Sequence, residues 1–132
     1  MKKSKLKKIS KQPISKIQRT IWSLCKTIIR AKYGNVCYTC GASGLTGGNW
    51  QTGHFIPKGT CGAYLRYDLR NLRPQCAKCN IWEGGQGAAF YRNMVAREGQ
   101  EYVDTLFECK KLIIPNAYTF YLELIKKYKE LI

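Results

Sequence analysis

Asn71-Leu-Arg-Pro-Gln-Cys76-Ala-Lys-Cys79-Asn80 is the stretch on which the reading of this chain turns. It holds a C-x-x-C pair, and Cys37-Tyr-Thr-Cys40 upstream repeats the spacing. A two-residue gap lets both sulfurs of a pair face one point, with backbone amides of the tight turn stabilising thiolate charge. Two such pairs close a four-sulfur tetrahedral shell, the usual structural zinc site. Gly41 after the first pair and Pro74 before the second suit the turns required. A redox C-x-x-C normally occurs once, on a strand-to-helix turn, and structural disulfides do not persist in a reducing compartment, so Cys37, Cys40, Cys76 and Cys79 read as zinc ligands. Cys25, Cys61 and Cys109 stand alone; Cys25 and Cys109 lie in apolar helical surroundings and read as small core residues.

Between the pairs, Trp50–Ile56 and Tyr64–Leu69 are the strand candidates, joined by the turn-rich PKGTCGA. Upstream, Pro13 opens a helix running to about Lys32, with Gly34 as its stop. Ile14, Ile17, Ile21, Leu24 and Ile28 place an apolar seam along it. Downstream of Cys79 a helix begins, breaks at Gly84, Gly85 and Gly87, and resumes over Ala88–Arg97. Residues 100–112 are helical again, and Pro115–Asn116 opens a last helix with a seam of Tyr118, Tyr121, Ile125, Tyr128 and Ile132. The organisation is a basic arm at 1–12 followed by one domain at 13–132. Its knuckle core spans about 35–98, flanked by helices at 13–33 and 100–132. Each seam can pack inside the chain or form the interface of a homodimer.

The 132 residues carry 23 Lys plus Arg against 8 Asp plus Glu, a formal charge of +15. The first acidic residue is Asp68, so residues 1–67 hold basic side chains only. A field of one sign over half a small domain attracts polyanions, nucleic acid above all. A hydrophobic fraction of 45% argues against global disorder. No stretch has the roughly 20 apolar residues of a membrane span. Lys16, Arg19, Lys26 and Arg30 interrupt the apolar run that a secretory signal would need, so neither a membrane nor a secreted protein is expected.

The chemistry-bearing residues cluster around the knuckles. His54, the single histidine, lies in Gln-Thr-Gly-His-Phe-Ile-Pro on the first strand candidate. Asn71 follows on the way to the second knuckle, Asn80 directly after it, and Glu83 three residues further along an incipient helix. Steps of three put Asn80 and Glu83 on one helical face, where their oxygens suit magnesium or manganese. Taken singly, a strand histidine is commonly a buried, hydrogen-bonded residue, and asparagines beside knuckles serve as turns or caps.

Taken together and in order, Cys37-x-x-Cys40, Gly53-His54-Phe55, Asn71-Leu72 and Cys76-x-x-Cys79-Asn80 resemble the zinc-knuckle HNH nucleases, also called ββα-metal or His-Me finger nucleases. The strings GHFIPKG and LRYDLRNLRPQCAKCN, with YRNMVAREGQEYVDTL beyond, more narrowly resemble the NinG/Rap recombination proteins of phages, related in pattern to recombination endonuclease VII. The likeness covers about residues 35–110. It implies an α+β fold: a zinc-knuckle ββα-metal core with flanking N- and C-terminal helices. It also implies a metal-dependent DNA endonuclease that hydrolyses phosphodiester bonds in phage recombination, on branched or four-way junction DNA, in the cytoplasm of a phage-infected or prophage-carrying host.

On that likeness His54 is the general base, Asn71 orients its ring through the other ring nitrogen, and Asn80 with Glu83 holds Mg²⁺ or Mn²⁺ against the scissile phosphate. Lys58, Arg66, Arg70 and Arg73 are candidate phosphate clamps, and Lys2, Lys3, Lys5, Lys7, Lys8 and Lys11 form the basic arm. Many HNH nucleases carry Asp or His just before the base as a first metal ligand; Gly53 stands there in this chain. That leaves the shell to be completed by water, phosphate or another side chain, with Asp68 one candidate. The alternative is a zinc-ribbon module that grips DNA or RNA without cutting it.

Overall fold

Residues 12–132 are described by the computed structural model. Helix α1 (Ile14–Tyr33) starts behind Pro13 and stops at Gly34, whose φ of 72° lets its N–H return to the Arg30 carbonyl at 2.9 Å. The first knuckle leads to strand β1 (Gln51–His54), short helix α2 (Gly62–Arg66) and strand β2 (Leu72–Gln75). After the second knuckle come a widened helical turn (Lys78–Trp82) and helices α3 (Gly87–Glu98), α4 (Gln100–Cys109) and α5 (Ala117–Lys129). Asn116 caps α5 by accepting from the Thr119 N–H at 3.1 Å. The fold is mixed α+β with one small two-stranded sheet.

β1 and β2 are antiparallel, with Gln51 opposite Gln75 and His54 opposite Leu72. The second strand therefore lies at Leu72–Gln75, and the expected strand at Tyr64–Leu69 is instead α2 and a tight turn. All four residues of β2 are buried, so no in-out alternation marks it. Pro74 is tolerated because, among the described residues, β2 has only β1 beside it, and its carbonyl accepts from the Tyr38 N–H at 2.8 Å, tying the first knuckle to β2.

Three apolar clusters hold the elements. In the first, Ile17, Ile21, Cys25 and Ile29 of α1 meet Tyr121, Ile125 and Tyr128 of α5 over Tyr67 and Leu72. The buried row of α1 thus runs every fourth residue, while Ile14 is exposed. The two seams pack on each other inside the chain, the first of the two arrangements open to them. The second cluster joins Phe55, Ile56 and Leu65 to Phe90 and Met94 of α3 and Val103 and Leu106 of α4. The third is the knuckle itself, with Leu45 among the cysteines. Cys25 and Cys61 are buried in the apolar clusters, as small core residues are.

Candidate active site and metal centre

The four knuckle sulfurs lie within 4.8 Å of one another. Zn–S bonds of about 2.3 Å in a tetrahedron set sulfur–sulfur edges at about 3.8 Å, and the sulfurs of Cys40 and Cys76 stand 3.8 Å apart. Burial opposes ionisation of Cys37, but the backbone N–H groups of Cys40, Cys76 and Thr39 outweigh it and bring this thiol down to about 7. Burial and the neighbouring sulfurs of Cys76 and Cys40 push Cys79 up. Four such sulfurs around one point, without a disulfide between them, can hold a structural zinc ion.

The closed knuckle positions a cleft of about 390 Å³, lined by Arg19 and Trp22 of α1, His54, Lys58, Arg66 and Asn80. A smaller hollow of about 210 Å³ shares His54, Lys58 and Asn80 and is bounded by Gly84, Gly85 and Gly87. His54 lines both. Its Nε2 stands 2.9 Å from the Arg66 backbone carbonyl. A carbonyl only accepts, so Nε2 carries the proton and Nδ1 keeps its lone pair. No described residue hydrogen-bonds Nδ1. The Trp22 indole stacks on the imidazole, with centroids 5.2 Å apart and planes 7° from parallel. Burial, opposed by the Arg66 carbonyl and aided by the Lys58 and Arg66 charges, holds the imidazole below its ordinary pKa of 6.5. His54 is thus a neutral, oriented base at neutral pH.

Asn71 does not touch this ring. It is fully buried; its Oδ1 accepts from the Ile56 N–H at 2.8 Å and its Nδ2 donates to the Ile56 carbonyl at 3.1 Å. The expected ring contact is corrected: the Arg66 carbonyl orients the histidine, and Asn71 fixes the backbone two residues beyond it.

Asn80 reaches the cleft from the widened turn, its Nδ2 committed to Gln51 Oε1 at 2.8 Å and its Oδ1 left facing Gly53. Glu83 does not join it. The turn closes with the Glu83 N–H on the Lys78 carbonyl at 2.8 Å, an i→i+5 bond, so a residue three along points well round the axis from Asn80. Glu83 is exposed and lines neither hollow. Asp68 is likewise spent elsewhere, forked to Arg70 with N–O distances of 2.7 and 3.0 Å.

Arg73 is the clearest departure among the basic candidates. Its side chain is fully buried, donating to the carbonyls of Leu69, Arg70 and Leu72 and to Tyr102, and facing Glu98 at 3.4 Å. Its guanidinium also lies over the Tyr33 ring, 4.7 Å from the centroid. It braces the hairpin and cannot clamp a phosphate. Arg70, paired with Asp68, lies away from the cleft, beside Tyr64 and Lys127. Arg66 and Lys58 flank His54 and make no ion pair among the described residues, and Arg66 Nε is buried without a partner. Lys2, Lys3, Lys5, Lys7, Lys8 and Lys11 lie outside the described residues.

The donor set in the cleft is amide oxygen, imidazole and room for water. Of these the Asn80 amide oxygen and water suit a hard cation such as Mg²⁺ or Mn²⁺, the imidazole being kept for proton transfer, whereas the thiolates suit zinc. Sequence reasoning missed Trp22, Arg19 and Gln75. Arg19 stands on the exposed side of α1, and Trp22 is partly buried at the edge of its apolar face, where it also packs against the first cluster. Gln75 is wholly buried with Oε1 unpartnered.

Among the described residues, no helix is long and apolar enough to cross a membrane. No solved structure matches the chain. It is 31% identical over 106 residues to protein ninG of Escherichia phage 933W, covering 79% of this chain and 51% of that protein. To protein ninG of Escherichia phage lambda it is 29% identical over 123 residues, covering 83% and 58%. To protein ninG of Salmonella phage P22 it is 29% identical over 106 residues, covering 79% and 50%. The chain spans about half the length of these curated relatives. The family model described as the bacteriophage lambda NinG protein matches residues 1–132, and the chain belongs to the NinG family.

Proposed function

We propose that this chain is a metal-dependent DNA endonuclease of the HNH type, acting on branched or junction DNA in phage recombination. The observation that carries the reading is the imidazole of His54: neutral, fixed in one tautomer, and set in a cleft walled by Arg19, Lys58 and Arg66. His54 Nδ1 takes a proton from water as the water oxygen bonds to phosphorus; the P–O3′ bond breaks and O3′ takes a proton from solvent water, leaving a 5′-phosphate and a 3′-hydroxyl. Trp22 and the Arg66 carbonyl keep the ring from turning during that transfer. Arg66 and Lys58 hold the flanking phosphates. Asn80 Oδ1 would hold Mg²⁺ or Mn²⁺, which when bound neutralises charge growing on the phosphoryl and departing oxygens. The four-cysteine knuckle, with zinc in it, keeps the hairpin and the Asn80 turn in register. Recombination and branch preference rest on the family likeness alone.

A second reading, a zinc module that binds nucleic acid without cutting it, is favoured by one observation: among the described residues no carboxylate lines the cleft. Supercoiled plasmid and synthetic four-way junctions incubated with Mg²⁺ or Mn²⁺ separate the two. The nuclease reading expects metal-dependent nicking that a chelator stops and His54→Ala abolishes with DNA binding retained. Tight binding with no strand cut in either metal would establish the module.

A further inference from the structure

We propose that Gln75 is a ligand of the hard cation at this site, supplying from β2 the oxygen that Gly53 cannot supply from β1; the inference rests on the nuclease reading above. Gly53 lies in ordinary extended strand and needs no glycine for its backbone. It is glycine for space. A Cβ there would meet Gln75 Oε1 at 1.9 Å, Gln75 Cδ at 2.7 Å and Asn80 Oδ1 at 3.0 Å. The register explains the approach: Gly53 faces Arg73, so Gln75 is its diagonal neighbour and reaches across the gap left by the missing side chain.

The orientation of this amide is fixed by its partners. Nε2 donates to the Gly85 carbonyl at 3.1 Å and lies 2.7 Å from Thr39 Oγ1. A carbonyl cannot donate, so the nitrogen must face it and the oxygen must face Gly53. Gln75 is completely buried, and its Oε1 has no hydrogen-bond partner. Asn80 repeats the pattern, its Nδ2 engaged by Gln51 and its Oδ1 aimed at the same spot. Two amide oxygens, Gln75 Oε1 and Asn80 Oδ1, thus flank the place that a Gly53 side chain would take, at 1.9 and 3.0 Å from its Cβ position. Converging acceptors of that kind suit a cation. Because both donors are neutral and Lys58 and Arg66 stand nearby, the ion needs a phosphate oxygen to balance its charge. Metal and DNA should therefore bind more tightly together than apart.

The test uses the zinc-loaded full chain, isotopically labelled, with Mg²⁺ and Mn²⁺ as probes. Mg²⁺ should shift the side-chain NH₂ signals of Gln75 and Asn80 along one binding curve, steeper with duplex DNA present, and Mn²⁺ should broaden both. A response at Asn80 with none at Gln75 overturns the inference and leaves the nuclease reading standing. Silence at both, with nicking still metal-dependent, also overturns it, whereas failure of the nuclease reading shows separately as absence of nicking. Gln75→Met should weaken Mn²⁺ binding about tenfold with zinc content and DNA binding in chelator retained; Mn²⁺ binding at the original strength overturns the proposal. Should Gln75→Met fail to fold, the pair Gly53→Asp with Gln75→Gly returns the oxygen to β1. Gly53→Asp alone should lower the melting temperature through the clash. The double variant should recover it and bind Mn²⁺ at least as tightly as the original chain, and a double variant that folds without binding Mn²⁺ overturns the proposal.

Discussion

Replacing Asn71 by alanine separates bracing of the loop from orientation of the base. Asn71 is fully buried, and both its amide atoms serve Ile56, itself almost fully buried. Alanine would leave the Ile56 N–H and carbonyl without their partner and open a small void. An unsatisfied buried donor or acceptor costs about 1–3 kcal/mol, so the loss should reach roughly 2–5 kcal/mol. At roughly 3–5 °C per kcal/mol for a domain of this size, the melting temperature should fall by about 6–25 °C. Thermal unfolding followed by circular dichroism on zinc-loaded protein reads this, and hydrogen exchange at the Ile56 amide should quicken selectively. Asn71→Asp keeps the acceptor for the N–H but sets a carboxylate oxygen against the Ile56 carbonyl. It should destabilise at neutral pH and recover part of the loss in acid, where the protonated acid donates. Were Asn71→Ala to melt like the original chain while losing strand cutting, Asn71 would act on the chemistry and the bracing argument would be refuted.

Three other outcomes follow from the same contacts. Purified protein should carry one zinc per chain, and stripping it with a strong chelator should unfold the hairpin and lower the melting temperature; metal-free protein with unchanged melting would remove zinc from the account. Lys58→Ala and Arg66→Ala should each weaken DNA binding and lower the salt slope by about one. Arg73→Met should instead leave the slope intact and cost about 2–4 kcal/mol of stability by stranding three carbonyls and Tyr102. As pH falls, an unfolded imidazole gains its proton near 6.5 whereas folded His54 resists. Stability from this group is full above 6.5 and lost as pH drops through the lower folded value. Fluorescence of Trp22, stacked on that ring, should titrate with a midpoint under 6.5, and a midpoint at or above it would contradict the burial argument.

How much of this was written in the chain varies with the kind of signal. Fixed spacings transferred well: the two-residue gap sets the sulfurs within each C-x-x-C pair together locally, and the two pairs meet where the Tyr38 N–H ties the first knuckle to β2. The outer helices also followed from periodicity and from Pro13, Gly34 and Asn116 as start and stop residues. Strand β2 did not, since a segment buried on all sides shows no alternation, and Pro74 argued against it. The Asn80–Glu83 pairing failed because the chain closes an i→i+5 turn where α-helical spacing was assumed, and side-chain periodicity cannot tell the two apart over five residues. The arginines failed differently. Arg66, Arg70 and Arg73 look alike in sequence, yet one lines the cleft, one pairs with Asp68 and one is buried among tyrosines. Only packing assigns them. Trp22 and Gln75 were out of reach because their partners, His54 and Gly53, lie on other elements.

In the proposed reaction the lone pair on His54 Nδ1 draws the proton from the attacking water. Single-turnover cleavage of an end-labelled junction, with enzyme in excess and saturating Mg²⁺, tests it directly when His54→Ala is run beside the original sequence. The variant should cut more slowly by about 10²–10⁴, with junction affinity in chelator and zinc content unchanged. A His54→Ala protein that cuts within a few-fold of the original rate would contradict it.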